Sequence, residues 1–271
     1  MLDQQDSNHD ENGADEQTRD MDESDATGPG DVDDMLTVRN LEKSFGPVTV
    51  LEDVSLSVPA GSFVAVIGPN GSGKTTLLRT IVDDLSPTAG TIEYRGPSVP
   101  REIGYLPQRP TFRPGFTALE TVSFYRSLVG GTDPKRLLER VGLENAADRR
   151  VEALSGGMHR LLGIAQAMVG DPPVVILDEP ASGLDPNMSR LVFDAASEFA
   201  AAGNGVVVSS HDLSLVAETA DVVVLLAAGR VVESGTPGTV TDRLGVSTLR
   251  GAIESVAGAE SRVTVVGEES E

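Results

Sequence analysis

The sequence of 271 residues contains no cysteine. That absence excludes a disulfide framework, a thiol nucleophile and any cysteine-based metal site. Long hydrophobic runs are missing too. The longest, such as 222–228, are far too short to cross a bilayer. No basic stretch followed by an apolar one opens the chain, so no signal peptide is expected. A soluble protein is expected, and any membrane part of its work must come from another chain. Lysine is scarce, with only Lys43, Lys74 and Lys135. Acid dominates instead, and the formal net charge is −21. Such a charge argues against a nucleic-acid partner or an anionic-membrane surface.

The acid is unevenly placed. Residues 1–34 hold 13 Asp/Glu and one Arg, a net of −12, which leaves −9 for the remainder. This apolar-poor stretch, ending just after Gly28-Pro29-Gly30, reads as a disordered acidic tail, most simply a solvated one. An acidic, lysine-poor surface suits a salt-rich cytoplasm, where self-repulsion is screened. This halophile reading predicts loss of structure on transfer to low salt, measured by circular dichroism. An unchanged spectrum in dilute buffer would count against it. Hydrophobic residues make up 39% of the chain, enough for a sizeable core in an α/β layout.

The most informative stretch is Gly68-Pro69-Asn70-Gly71-Ser72-Gly73-Lys74-Thr75. It has the form of a phosphate-binding loop. An apolar run, Phe63–Ile67, precedes it as a buried strand, and a helix-like segment over Thr75–Val82 follows. In that context glycines let the backbone wrap around phosphate oxygens, and loop and helix N–H groups point at the anion. Lys74 would meet the β- and γ-phosphates and the Thr75 hydroxyl a Mg²⁺ ion.

Elsewhere, Leu36–Val38 and Val54–Val58 alternate as half-wet strands. Thr91–Tyr94 and Ile103–Leu106 are further short strands, and a helical stretch runs from about Thr117 to Arg150. Strands at Val174–Leu177, Val206–Ser209 and Val222–Leu226 then alternate with helices near Ser189–Ala201 and Leu213–Thr219. This is a parallel α/β order with a helical insert. Gly229-Arg230 reads as a turn between two closing antiparallel strands. Beyond about Arg243 the pattern is less regular, with Ala252–Val256 and Arg262–Val266 as a small appended element.

Val174–Leu177 ends in Asp178-Glu179. A buried strand with carboxylates only at its C-terminal end presents them at the ligand edge of a parallel sheet. Asp178 suits Mg²⁺, directly or through water. Glu179 suits a water aimed at the γ-phosphate. Ser155-Gly156-Gly157, opening a helix-like run over Met158–Met168, makes a second N-terminus able to accept an anion. Taken alone it is an ordinary N-cap. His211, after Val206–Ser210, lies near the same sheet edge and could bond a phosphate oxygen or the attacking water. Gln108 is a neutral amide suited to reach metal or water. Taken singly, each of these two residues reads as structural or surface polar.

Together these segments resemble the nucleotide-binding subunits of ABC (ATP-binding cassette) transporters, over roughly Leu36 to Thr241. Gly68–Thr76 resembles Walker A, and Gln108 the Q-loop. Leu154-Ser155-Gly156-Gly157-Met158 resembles the signature, and Val174–Glu179 Walker B with its catalytic glutamate. Ser182-Gly183-Leu184-Asp185 resembles the D-loop, His211 the switch histidine, and Phe45 the aromatic that stacks on adenine. The resemblance implies an α/β fold: a P-loop NTPase core of mainly parallel sheet, an antiparallel β subdomain and a helical insert. The ATPase domain would span 35–242, with the insert at about 109–170 and a small C-terminal extension over 243–271.

It further implies ATP and Mg²⁺ as cofactors. Gly68, Pro69, Asn70, Gly71, Ser72, Gly73, Lys74, Thr75 and Thr76 would hold the nucleotide. Ser155, Gly156 and Gly157 of a second copy or a paralogue would close over it, head to tail. Thr75, Gln108 and Asp178 would serve the metal, and Glu179, His211 and Gln108 the hydrolysis. The permease would be a separate integral-membrane chain, with this subunit cytoplasmic and peripheral on the inner face of the membrane. Two residues depart from the family pattern. Met158 stands where glutamine is usual, although the phosphate contacts come from the Ser and Gly positions. Phe45 stands where tyrosine is commoner, although stacking needs only the ring face.

Segments Gly104–Gln108, Ala146–Val151 and Leu154–Met158 most resemble exporter-type cassettes with separate permeases. Among those are the ATPases that accompany copper-enzyme and nitrous-oxide-reductase maturation. Import of a metal or nutrient is the second reading. A repair or chromosome ATPase would carry a long coiled coil or zinc insertion between Lys74 and Ser155, and a ribosome-linked type usually two cassettes. Neither feature is present. A guanine-specific Asn-Lys-x-Asp is absent, which disfavours a GTPase switch. An inactive binding module fits poorly with Lys74, Asp178, Glu179 and His211 all in place.

Overall fold

The computed structural model describes residues 34–265, with side chains described to 257. The acidic tail expected over 1–34 lies outside them, apart from Asp34, which opens the first strand.

Two sheets share the chain. A three-stranded antiparallel sheet, in the order β2-β1-β4, is built from β1 (Asp34–Phe45), β2 (Val48–Pro59) and β4 (Ala89–Tyr94). A six-stranded sheet runs β5-β6-β7-β3-β8-β9. Its strands are β3 (Phe63–Ile67), β5 (Ile103–Leu106), β6 (Val174–Asp178), β7 (Gly205–Ser209), β8 (Val222–Ala227) and β9 (Arg230–Gly235). All its pairings are parallel except β8–β9. This is the mixed α/β fold that the sequence implied.

β3, β6 and β7 are apolar along almost their whole length because both faces are covered. Side chains alternate between faces with period two. Val64, Val66, Ile176, Val207 and Leu226 join the first sheet and helix α1 (Lys74–Ile81) in one core. Phe63, Ala65, Ile67, Val175, Leu177, Val206 and Val208 point the other way. There they pack on α4 (Gly156–Ala167), α5 (Pro186–Ala201) and α6 (Leu213–Thr219), whose contributions include Leu161, Ile164, Phe193 and Val216. Phe63 and Phe193 stack at 5.9 Å.

Between β5 and α4 lie α2 (Ala118–Val129) and α3 (Pro134–Arg140). α2 opens on a capping box in which Thr117 and Glu120 bond each other's backbone N–H groups. Such a cap contributes about 1 kcal/mol.

Two local readings change. The β8–β9 turn sits on Ala228-Gly229, one residue earlier than expected. Both have positive φ, 45° and 76°, as a two-residue hairpin of this twist demands. The end of the chain is more regular than its pattern suggested. α7 (Pro237–Arg243) buries Val240, and one helix, α8 (Leu249–Val265), replaces the two short segments. Leu249 and Ala252 of α8 pack into the main core, so its first turn is held by tertiary contact that periodicity alone does not reveal.

No helix among the described residues is long and apolar enough to cross a membrane.

Candidate functional site

Three neighbouring parallel strands, β6, β7 and β3, end at one edge of the sheet. Register decides what meets there. Asp178 pairs with Ser209, and Ser209 with Val66, two residues before the glycine-rich loop.

That loop turns tightly into α1. At Gly68, where φ is 154°, a Cβ would fall within 1.9 Å of the Leu226 carbonyl oxygen. At Gly73, the N-cap of α1 with φ 104°, a Cβ would lie 2.8 Å from Leu51 Cδ2. Neither position accepts a side chain, so the path of the loop itself requires glycine there. Lys74 Nζ donates to the Gly68 and Pro69 carbonyls at 3.0 Å each, over its own loop. Burial pushes its pKa down, and the Glu179 and Asp178 carboxylates push it back up.

Asp178 is fully buried. Its Oδ1 accepts from the Thr75 hydroxyl at 3.2 Å and from the Ser209 hydroxyl at 2.6 Å. Its Oδ2 is buried with no hydrogen-bond partner. A hydrogen bond to a buried charged group contributes about 1.5–3 kcal/mol, and an orphaned carboxylate oxygen costs a comparable amount. A cation beside Oδ2 would remove that cost, so the residues present fit Mg²⁺. The protein donors are few: no cluster of three or more His, Asp or Glu able to hold a metal occurs among the described residues. That suits an ion that keeps phosphate oxygens and waters in its shell.

Glu179 is 6% exposed and has φ of 50°, an uncommon conformation for a residue with a Cβ. Such strain costs about 1–3 kcal/mol and concentrates at functional sites. Two acceptors hold it: Glu179 N donates to Ser209 Oγ at 2.9 Å and to Ser209 O at 3.2 Å. Its Oε1 lies 3.0 Å from His211 Nε2, within ion-pair reach but outside hydrogen-bond geometry. Burial raises the Glu179 pKa, while His211 and Lys74 oppose the rise. A carboxylate so placed is a stronger base than one in water.

A cavity of about 260 Å³ collects the site. Asn70, Gly71, Gly73, Lys74, Thr75, Thr76, Gln108, Glu179 and His211 line it, together with Val50. Gly68, Pro69 and Ser72 stay behind the wall, shaping the loop through their backbones. Phe45 is not in the wall. It is 48% exposed at the far end of β1, with Lys43 Nζ 4.9 Å from the centre of its ring. Ser155, Gly156 and Gly157 also lie outside. Ser155 caps α4 by accepting from Met158 N at 3.2 Å, and both it and Gly156 face solvent.

Sequence reasoning missed Ser209 and Arg160. Ser209 ties Asp178 to Glu179, and its signal was a hydroxyl closing an otherwise apolar strand. Arg160, on α4, has a buried Nη1 without a partner; its pKa is lowered by burial and raised by the charges of Asp178 and Glu179. Its signal was a lone cation in an apolar helix.

The ABC transporter family model matches residues 51–182. The chain is 35% identical over 216 residues to the Nod factor export ATP-binding protein I of Ralstonia nicotianae, covering 75% of this chain and 67% of that one. This chain belongs to the ABC transporter family. It is also 33% identical to a lantibiotic transport ATP-binding protein of Streptococcus pyogenes, over 73% of this chain and 89% of that protein. Among solved structures, an ATP-binding subunit of an ABC transporter superposes with a TM-score of 0.74 at 28% identity, covering 82% and 99% of the two chains. A dimeric bacterial ABC transporter cassette gives 0.66 at 26% identity, covering 74% and 98%. The chain is thus an ATP-hydrolysing, ATP-binding subunit of an ABC transporter. Such subunits work with membrane components and form dimers.

Proposed function

We propose that this subunit powers export through a separate permease, working as a head-to-tail dimer with a second copy or a paralogue. The observation that carries the dimer is that the cavity is half a site. Lys74, Thr75, Gln108, Glu179 and His211 converge on it, while the anion-accepting start of α4 stands outside, open to solvent. A second chain can bring its own Ser155, Gly156 and Gly157 over the phosphates.

The glycine-rich loop and Lys74 hold the β- and γ-phosphates, and Phe45 offers its ring face to adenine beyond the cavity. Asp178 and the Thr75 hydroxyl would hold Mg²⁺, with Gln108 lining the same cavity as Thr75. When bound, the ion neutralises developing charge on the phosphate oxygens. Glu179 takes a proton from water as the water oxygen bonds to the γ-phosphorus. The bond from that phosphorus to the β-phosphate oxygen breaks, releasing ADP and inorganic phosphate. His211 orients the γ-phosphate or the water.

The ATPase domain would occupy 35–242, with the insert at 109–170 passing motion to the permease and 243–271 as an extension. The subunit would sit on the inner face of the membrane through that partner. Export is supported by relatives named for Nod factor export and lantibiotic transport. The cargo is set by the permease. The acidic surface supports work in high salt.

Affinity capture of the tagged full-length chain from detergent-solubilised native membranes tests the assignment. A multi-span membrane protein should co-purify and change the ATPase rate on reconstitution. Recovery with ribosomal or DNA-binding proteins instead would overturn it.

A further inference from the structure

A second cavity, about 440 Å³, meets the first at Glu179 and His211. From that pair it runs between the Ala181–Leu184 turn, the start of α5, the segment 210–214 and the first turn of α8. Its lining is mostly polar. Ser182, Ser189, Ser210 and Ser214 contribute hydroxyls, and Arg250 stands in its wall. Ser189, at the start of α5, is only 5% exposed. The Arg250 side chain is exposed, and its guanidinium makes no ion pair or hydrogen bond with the described residues. A guanidinium without an ion-pair partner and several hydroxyls around one groove are donors a phosphate oxyanion can use.

We propose that inorganic phosphate leaves the Glu179–His211 pair through this groove, drawn outward by Arg250. The inference rests on the roles given above to Glu179 and His211. Its physical basis is that the other side is blocked. After cleavage ADP still fills the loop around Lys74, and in a closed dimer the second chain covers it. Phosphate formed beside Glu179 has the groove as a path that does not pass ADP.

The groove also contains two carboxylates, Glu179 and Asp212, which would repel an anion. Asp212 is engaged as the cap of α6, accepting from Leu215 N at 3.2 Å. Glu179 stands only at the inner end of the groove, where phosphate is formed, and Arg250 stands in the wall toward the outside.

The test compares two clocks in one single-turnover reaction of the full-length chain. Rapid quench times ATP cleavage, and a fluorescent phosphate sensor times release. Arg250→Glu should lengthen the lag between them several-fold without slowing cleavage, and Arg250→Lys should restore the wild-type lag. Ser214→Trp, at an exposed position on the same groove, should lengthen the lag by volume rather than charge. Both sites are at the surface, so the fold should tolerate the changes. A wild-type lag in both Arg250→Glu and Ser214→Trp would overturn the route. Slower cleavage with no added lag would also overturn it, placing Arg250 in the chemistry instead. Wild-type cleavage by Glu179→Gln in the same reaction would overturn the underlying role of Glu179, a result distinct from the other two.

Discussion

Replacing Glu179 by Gln should lower ATP turnover by about 10²–10⁴-fold, the range for loss of a positioned general base. Nucleotide binding should persist, because the loop, Lys74 and Asp178 are untouched. The variant should therefore accumulate as an ATP-bound dimer, visible by size-exclusion chromatography with ATP and absent with ADP. The fold should not suffer. Burial is the largest influence on Glu179 and raises its pKa, so the native state disfavours the ionised form. For a carboxylate of raised pKa, stability falls as pH rises from the ordinary carboxylate range through the folded value. Above the folded value the penalty is fully present, and Gln removes it. The melting temperature should be unchanged or higher.

The same shift gives the wild-type enzyme an acid limb. Its rate should fall as pH drops through the raised Glu179 value, above the range of an exposed carboxylate. Near-normal hydrolysis by Glu179→Gln would sink the assignment of this residue.

The second large effect tests the half-site. Gly156→Asp should abolish turnover, by about 10²-fold or more, if that glycine meets phosphate. The structure makes this a clean substitution. A Cβ at Gly156 meets nothing within 4 Å, and its φ lies outside the positive range. An acidic residue in the first turn of α4 is favourable to the helix dipole. The monomer should fold as before, and only a phosphate brought up by another chain would feel the charge. Lys74→Ala should be inactive too, through the opposite half.

Mixing the two inactive variants should restore activity. Their mixed dimer pairs an intact loop from one chain with an intact α4 start from the other. Activity that stays absent on mixing, with both variants folded and exchanging subunits, would overturn the head-to-tail site. A Gly156→Asp variant that hydrolyses ATP normally would overturn it as well.

Much of this was legible in the residues. Gly68–Thr75 and the acids ending Val174–Leu177 are local signals, because a phosphate loop and an acid-tipped buried strand are each written within about eight consecutive positions. The strands at Phe63–Ile67 and Ile103–Leu106 have the bounds that their apolar runs predict. The last helix was less legible, since α8 is anchored by Leu249 and Ala252 against distant parts of the core.

The sequence by itself determined the α/β order and the family, and it pointed to a phosphate loop and to metal-suited and base-suited carboxylates. Only the tertiary structure decided how those parts meet. Ser209 bridges Asp178 and Glu179 because register sets β6 against β7. Glu179 sits at positive φ because Ser209 holds its amide. Arg250 reaches the groove behind His211 because α8 folds back on α6 and β8. The start of α4 stays outside the cavity that Lys74 lines. Turn chemistry and periodicity act over a few bonds and can be read in order along the chain. Strand order and register act between residues 30 or more positions apart, through the packing of the two cores, and no short stretch of sequence contains them.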